Sequence, residues 1–206
     1  LLPGHGSTWQ ELARTTWQDW YGQVRDAALD LSGEHGPIAV GGLSMGGALS
    51  LALAADPDLE GRIAALVLVN PGLTLPPAAR LAPLLAPLVP TLPGIGSDIA
   101  LEGAREEAYD RMPVRAVAEL RRLFSRVRSE LPAVRVPVLL ATSTVDHTVP
   151  PSDSDLVAAR VRSAVERLPM PRSHHLVTLD HDAGLLFDTS ARFLDQHLHR
   201  PARSPA

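Results

Sequence analysis

Hydrophobic and polar positions change period along this chain. From about Thr16 to Leu31, apolar Trp17, Trp20, Tyr21, Val24, Ala28 and Leu31 recur at spacings of three and four. That spacing predicts an amphipathic helix, stopped by Gly33 and Gly36-Pro37. "PIAVGGLS" and "IAALVLVN" (Ile63 to Asn70) are instead short continuous apolar runs, the pattern of strands buried on both faces. Between them "MGGALSLALAA" reads as a helix ended by Asp56-Pro57. "VPVLLATSTVD" resumes the strand pattern, followed by a helix from near Ser152 to Ala164 capped by Ser or Asp residues. "AVERLPM" is a weaker strand, "PRSHHLVTLDHD" a loop, and "LLFDTSARFLDQHL" a closing helix.

Strands alternating with helices predict an α/β fold, a parallel sheet covered on both faces. Residues 73–131 interrupt the alternation. They are Pro-rich at first, then strongly helical in "AVAELRRLFSRVRSEL", with no clear strand, and are expected to form a helical lid over one end of the sheet. The chain thus divides into an N-terminal core part (1–72), the lid (73–131), a C-terminal core part (132–199) and a disordered tail (200–206). No internal repeat is visible.

Composition narrows the chemistry. A length of 206 residues suits one sizeable core, and a formal charge of −4 gives no basic footprint for a nucleic-acid partner. The chain has no cysteine, which excludes disulfides, a thiolate nucleophile and Cys-based zinc sites. It also has no lysine, which excludes a Ser–Lys dyad, a Schiff base and a Walker-type phosphate loop. The most apolar long stretch, Leu81 to Leu92, is cut by Pro83, Pro87 and Pro90 and is too short to span a membrane. The absence of cysteine and of a visible signal peptide points to the cytoplasm, although the chain begins at Leu1 rather than methionine. Oligomeric state has no signature in the sequence.

One pentapeptide carries a specific chemical possibility. Gly42-Leu43-Ser44-Met45-Gly46 stands between an apolar strand and an Ala/Leu-rich helix. A serine on such a turn takes a strained backbone conformation that pushes its hydroxyl outward. Gly42 and Gly46 are expected to supply the lack of bulk, and the Met45 amide, at a helix N-terminus, to point where an oxyanion forms. The competing reading is a glycine-rich turn with an incidental serine. A nucleophilic serine needs a base and an orienting acid. Asp146, just past the third strand, would face the same rim as Ser44. His174 and His175 lie in the loop after the last strand, where a base belongs, and His181 is a third candidate. His197 and His199, in the terminal helix, read as solvated surface. The paired His spacings of metal sites are absent, so no metal is expected.

"LPGHG…W…W", "GLSMGG", "LVLVNP", "VPVLLATSTVDHTVPP" and "SHHLVTLD" occur in this order over nearly the whole chain. Together they resemble the bacterial carboxylesterase and monoacylglycerol-lipase branch of the α/β-hydrolase superfamily. The resemblance implies hydrolysis of a small-molecule carboxylic ester by a Ser-His-Asp triad, without a cofactor, beneath a small helical cap that shapes an acyl pocket. The branch's last motif reads S-x-H-hydrophobic-hydrophobic-T-x-D, which makes His175 the base and leaves His174 at the variable position. The implied triad is Ser44, Asp146 and His175, with Met45 as an oxyanion donor. The resemblance also implies a first strand and a His-Gly oxyanion loop that this chain does not include. The loop at His5-Gly6 matches a later one, so the Ser44 strand is expected at a sheet edge and the second oxyanion donor outside the chain. Other triad reactions (thioesterase, peptidase, acyltransferase) and an inactive fragment or binding protein on the same scaffold remain alternatives.

Overall fold

The computed structural model describes residues 1–94 and 96–198; His199 and the tail expected at 200–206 lie outside them. Four strands, β1 (Ile38–Leu43), β2 (Ile63–Val69), β5 (Val138–Ser143) and β6 (Val165–Met170), pair side by side in that order, all parallel. The continuous apolar runs of the two central strands fit there because both of their faces are covered. Leu66 and Leu68 of β2 and Val138 and Leu140 of β5 face one side, and Ala65 and Leu139 the other, all fully buried.

Helices α2 (Trp17–His35), α3 (Met45–Ala55) and α6 (Ser152–Arg160) cover the first side, and α7 (Ala183–Leu198) the second. A reciprocal capping box of Thr16 and Asp19 starts α2. The helix runs through Gly33, contrary to the expected stop, and ends only where Gly36 takes φ +80°. α6 is shorter than expected, and its N-cap is Pro151 with no side-chain cap. Asp153, expected to help cap it, is instead buried and accepts the amides of Leu73 and Thr74 at 2.7 and 2.8 Å. It therefore clasps the chain where residues 73–131 leave the sheet.

That segment departs from an all-helical lid. After the short α4 (Ala82–Leu85), β3 (Thr91–Pro93) and β4 (Arg111–Pro113) form a small antiparallel pair. α5 (Val114–Glu130) belongs to the main core: its Ala116, Leu123, Phe124 and Val127 pack in the same apolar cluster as α3. Leu81, Leu84, Leu88 and Leu92, by contrast, are exposed. One short helix escapes the periodicity altogether, α1 (Trp9–Leu12), which puts Leu12 into the core.

Among the described residues β1 has a partner strand on one side only, as the resemblance led one to expect. Its Val40 and Leu43 are half-buried and line a groove of about 320 Å³ shared with Phe187 and Leu194 of α7.

Candidate active site

The C-terminal ends of the four parallel strands lie on one rim, and each leads into a loop that carries a polar residue. Ser44 follows β1, Asn70 follows β2, Asp146 stands three residues past β5, and His175 five past β6. Ligand sites in open parallel sheets form at this rim, because the loops there face a common crevice.

Ser44 sits at φ 54°, ψ −116°, a conformation that costs an L residue about 1–3 kcal/mol. The surrounding backbone holds it there. Ser44 N–H donates to Val69 C=O at 3.0 Å, and its own C=O accepts Ala48 N–H at 3.2 Å and Gly72 N–H at 3.1 Å. Close approach of strand and helix is what makes the turn possible. A Cβ on Gly42 would stand 2.2 Å from the carbonyl atoms of Gly46. The second crowded position is Gly47, whose Cβ would stand 2.9 Å from Pro71, whereas one on Gly46 meets nothing within 4 Å. The expected demand for small side chains thus falls on Gly42 and Gly47, and Gly46 contributes its bare backbone. Met45 opens α3, so its N–H has no acceptor within the helix and lies at the positive end of the helix dipole.

His175 Nδ1 lies 2.7 Å from Asp146 Oδ2, and both side chains are almost fully buried. The other Asp146 oxygen accepts the amides of Thr148 and Val149 at 2.8 and 2.7 Å, which fixes the carboxylate plane. Ser44 and His175 line one cavity of about 680 Å³, walled by Leu12, Leu43, Tyr109, Met112 and Leu176 and edged by Asp98, Glu106 and Glu107. That volume lies within the range of roughly 300–1,000 Å³ usual for small-molecule sites.

The remaining histidines separate clearly. His174 faces Asp98, with Nδ1 3.2 Å from Asp98 Oδ1. His181 is exposed, and His197 packs against Phe193 with ring centroids 4.5 Å apart and planes tilted by 58°. His5 lines the cavity, with its ring edge-on to Trp20 and its Nδ1 3.2 Å from Pro3 C=O.

Three further polar residues hold this site together, two of them within the motifs "LVLVNP" (Asn70) and "SHHLVTLD" (Asp180). Asn70, buried at φ 43°, donates from Nδ2 to His175 C=O at 2.8 Å and to Ser143 Oγ at 3.1 Å. Its Oδ1 accepts Ser143 N–H at 2.8 Å. Asp180 accepts four amides, from Ala100, Leu101, His174 and His181, at 2.7–2.9 Å. Burial pushes its pKa up, but those four N–H groups outweigh it and hold the carboxyl below its ordinary value. Asp98 accepts His147 N–H at 2.9 Å and His175 N–H at 3.3 Å through Oδ2. Burial is again outweighed there, by the His147 side chain and these amides, and the net shift is downward. Asn70 is foreshadowed by the turn chemistry of "VNPG", whereas Asp98 lies in a stretch without periodicity, and nothing local marks it.

Among the described residues no helix is long and apolar enough to cross a membrane. A thermostable monoacylglycerol lipase of Bacillus sp. (strain H-257) is 32% identical over 198 residues, covering 95% of this chain and 78% of the relative. A solved structure of two metagenome-derived lipolytic enzymes, LipS and LipT, superposes with a TM-score of 0.90 at 34% identity, over 95% of this chain and 80% of that one. The monoacylglycerol lipase of Paleococcus ferrophilus shares the fold at 19% identity and a TM-score of 0.68, covering 89% of this chain and 76% of its own. Residues 2–189 match the alpha/beta hydrolase family throughout. A strained serine between strand and helix, on the rim of a parallel sheet, is how that fold presents its reactive side chain, and the chain belongs to the alpha/beta hydrolase family.

Proposed function

We propose that this protein is a serine hydrolase of carboxylic esters, acting on short or medium acyl esters or monoacylglycerols through an acyl-enzyme. The observation that carries the reading is the convergence on one cavity of Ser44 and a His175 whose Nδ1 is 2.7 Å from Asp146. Ser44 Oγ attacks the ester carbonyl carbon while His175 Nε2 takes its proton. Asp146 keeps the imidazole in the tautomer with Nδ1 protonated and stabilises the imidazolium. The Met45 N–H donates to the oxyanion. Collapse of the tetrahedral intermediate releases the alcohol, which receives the proton from His175. Water then repeats the sequence on the acyl-enzyme and frees the acid and Ser44.

The apolar wall of Leu12, Leu43, Met112 and Leu176 supports an acyl chain as the group bound beside Ser44. Asp98, Glu106 and Glu107 at the edge favour neutral alcohol moieties over anionic ones. Residues 73–131 act as the cap, with α5 as its anchored base. The printed activities of the similar proteins, a monoacylglycerol lipase and lipolytic enzymes, support the same substrate class.

Hydrolysis of p-nitrophenyl butyrate by the wild-type chain and by Ser44→Ala tests the reading. The substitution is expected to lower kcat at least about 10³-fold. Equal rates in the two proteins would overturn it.

A further inference from the structure

Next to the Asp146–His175 pair, but sharing no side chain with it, three potential ligands meet at one point. Asp98 comes from the loop between β3 and β4, His147 follows Asp146, and His174 precedes His175. Asp98 Oδ1 lies 2.8 Å from His147 Nδ1 and 3.2 Å from His174 Nδ1, and the three ligand atoms all lie within 4.8 Å of one another. The two rings cross edge-on, 4.6 Å apart at 89°, so both turn the same nitrogen towards one carboxylate oxygen. A divalent ion at the centre would exchange the contacts between Asp98 and the two nitrogens for a common partner of all three.

The geometry suits such an exchange. Nitrogen and oxygen ligands about 2.0–2.1 Å from a tetrahedral ion stand about 3.3 Å from one another. The two separations from Asp98, 2.8 and 3.2 Å, lie just inside that, and the three ligand atoms all lie within 4.8 Å of one another. The donors are also held in advance. Asp98 Oδ2 is engaged by the amides of His147 and His175, which leaves Oδ1 to face the two imidazoles. Asp98 C=O accepts Leu176 N–H at 3.1 Å. On its other side, His174 N–H donates to Asp180 at 2.9 Å and its C=O accepts Ser143 Oγ at 2.6 Å. The His147 side chain is 61% exposed, which leaves the fourth position open to water.

We propose that Asp98, His147 and His174 form a three-ligand site for an imidazole-preferring divalent transition ion, of which Zn²⁺ is the probe. Two imidazoles and one carboxylate favour Zn²⁺ over the oxygen-seeking Mg²⁺ and Ca²⁺. The bound ion ties together the loops that carry Asp146 and His175 and the segment over the cavity, without touching Ser44 or the Asp146–His175 bond. The site stands independently of the reaction assigned to Ser44.

Calorimetric titration of Zn²⁺ into chelator-stripped full chain tests this, with thermal midpoints recorded with and without the ion. One saturable site is expected, with a midpoint that rises on Zn²⁺ addition. Loss of an outer-shell partner costs about 10–100-fold in metal affinity, so loss of a ligand in His147→Ala or His174→Ala should cost more than about 100-fold. His174→Gln keeps a hydrogen-bond donor for Asp98 but removes the imidazole, and should lose Zn²⁺ while keeping the ion-free midpoint. No saturable binding in the wild type would overturn the proposal. So would wild-type affinity in folded His147→Ala and His174→Gln, because the ion would then bind elsewhere.

Discussion

Asn70 Nδ2 donates to the carbonyl oxygen of His175 at 2.8 Å, joining the end of β2 to the loop that carries the proposed base. The same side chain accepts the amide of Ser143 at the end of β5. One buried asparagine therefore sets the height of the His175 loop against two strand ends. Asn70→Ala leaves two or more buried polar groups unpaired, at about 1–3 kcal/mol each. A loss of about 2–4 kcal/mol lowers the thermal midpoint of a chain this size by roughly 5–15 °C. Asn70→Asp keeps the acceptor for Ser143 but opposes the His175 carbonyl with a carboxylate oxygen. It should reduce kcat for ester hydrolysis more than it changes KM, measured below the midpoint of the variant.

Asp146→Asn separates orientation from folding. Its Oδ1 can still accept the amides of Thr148 and Val149, so the loop should persist. The group facing His175 becomes an N–H donor, which selects the wrong imidazole tautomer. Steady-state ester hydrolysis should fall by about 10⁴ in kcat with an unchanged circular dichroism spectrum.

The glycines around Ser44 make a steric contrast. Gly42→Ala drives a methyl to 2.2 Å from Gly46 backbone atoms and should abolish cooperative unfolding. Gly46→Ala has open space outside its own helix and replaces a helical glycine, which by itself gains about 0.5–1 kcal/mol. Thermal denaturation should therefore show no cooperative transition for Gly42→Ala and a midpoint at or above the wild type's for Gly46→Ala.

Acid should loosen the site from its carboxylates. Asp98, Asp180 and Asp182 all have pKa values lowered in the folded protein, the first two by the contacts described above. Burial raises Asp182 as well, but Arg172 and Ser173 outweigh it. A depressed folded pKa gives stability that is complete above the unfolded value of about 3.9 and disappears as pH falls through the folded value. Unfolding free energy should thus drop below about pH 4. Asp180→Asn, which turns a donor towards two of four amides, should cost roughly 1–3 kcal/mol at pH 7 and flatten that acid limb. Urea titrations at pH 7 and below pH 4 check both statements.

The periodic parts of this fold were open to a reader of the sequence, and the exceptions have physical causes. β2 and β5 announce themselves as unbroken apolar runs because they are buried on both faces, and β1 reads the same way although it is a half-buried edge strand. Ser44 and Asp146 stand out because each follows such a run, whereas His175 follows the weaker "AVERLPM" and is set apart from His174 and His181 only by the resemblance carried in "SHHLVTLD". α2 outlasts Gly33 because glycine only weakens a helix, while the positive φ at Gly36 ends it. Asp153 has the look of a helix cap, yet its partners are the amides of Leu73 and Thr74, eighty and seventy-nine positions away. Asp98 and His147 meet across 49 positions, which no spacing rule for metal ligands anticipates. β3 and β4 escape notice because three residues with proline are too few to show a period.

The central claim is that Ser44 is an activated nucleophile, and covalent labelling tests it most directly. The wild-type chain is incubated with a fluorophosphonate, and the adduct is located by peptide mass spectrometry. One phosphonyl group per chain on Ser44, with labelling lost in His175→Ala and retained in His174→Ala, is the expected result. An unlabelled Ser44 in folded wild-type protein that still hydrolyses esters would contradict the account.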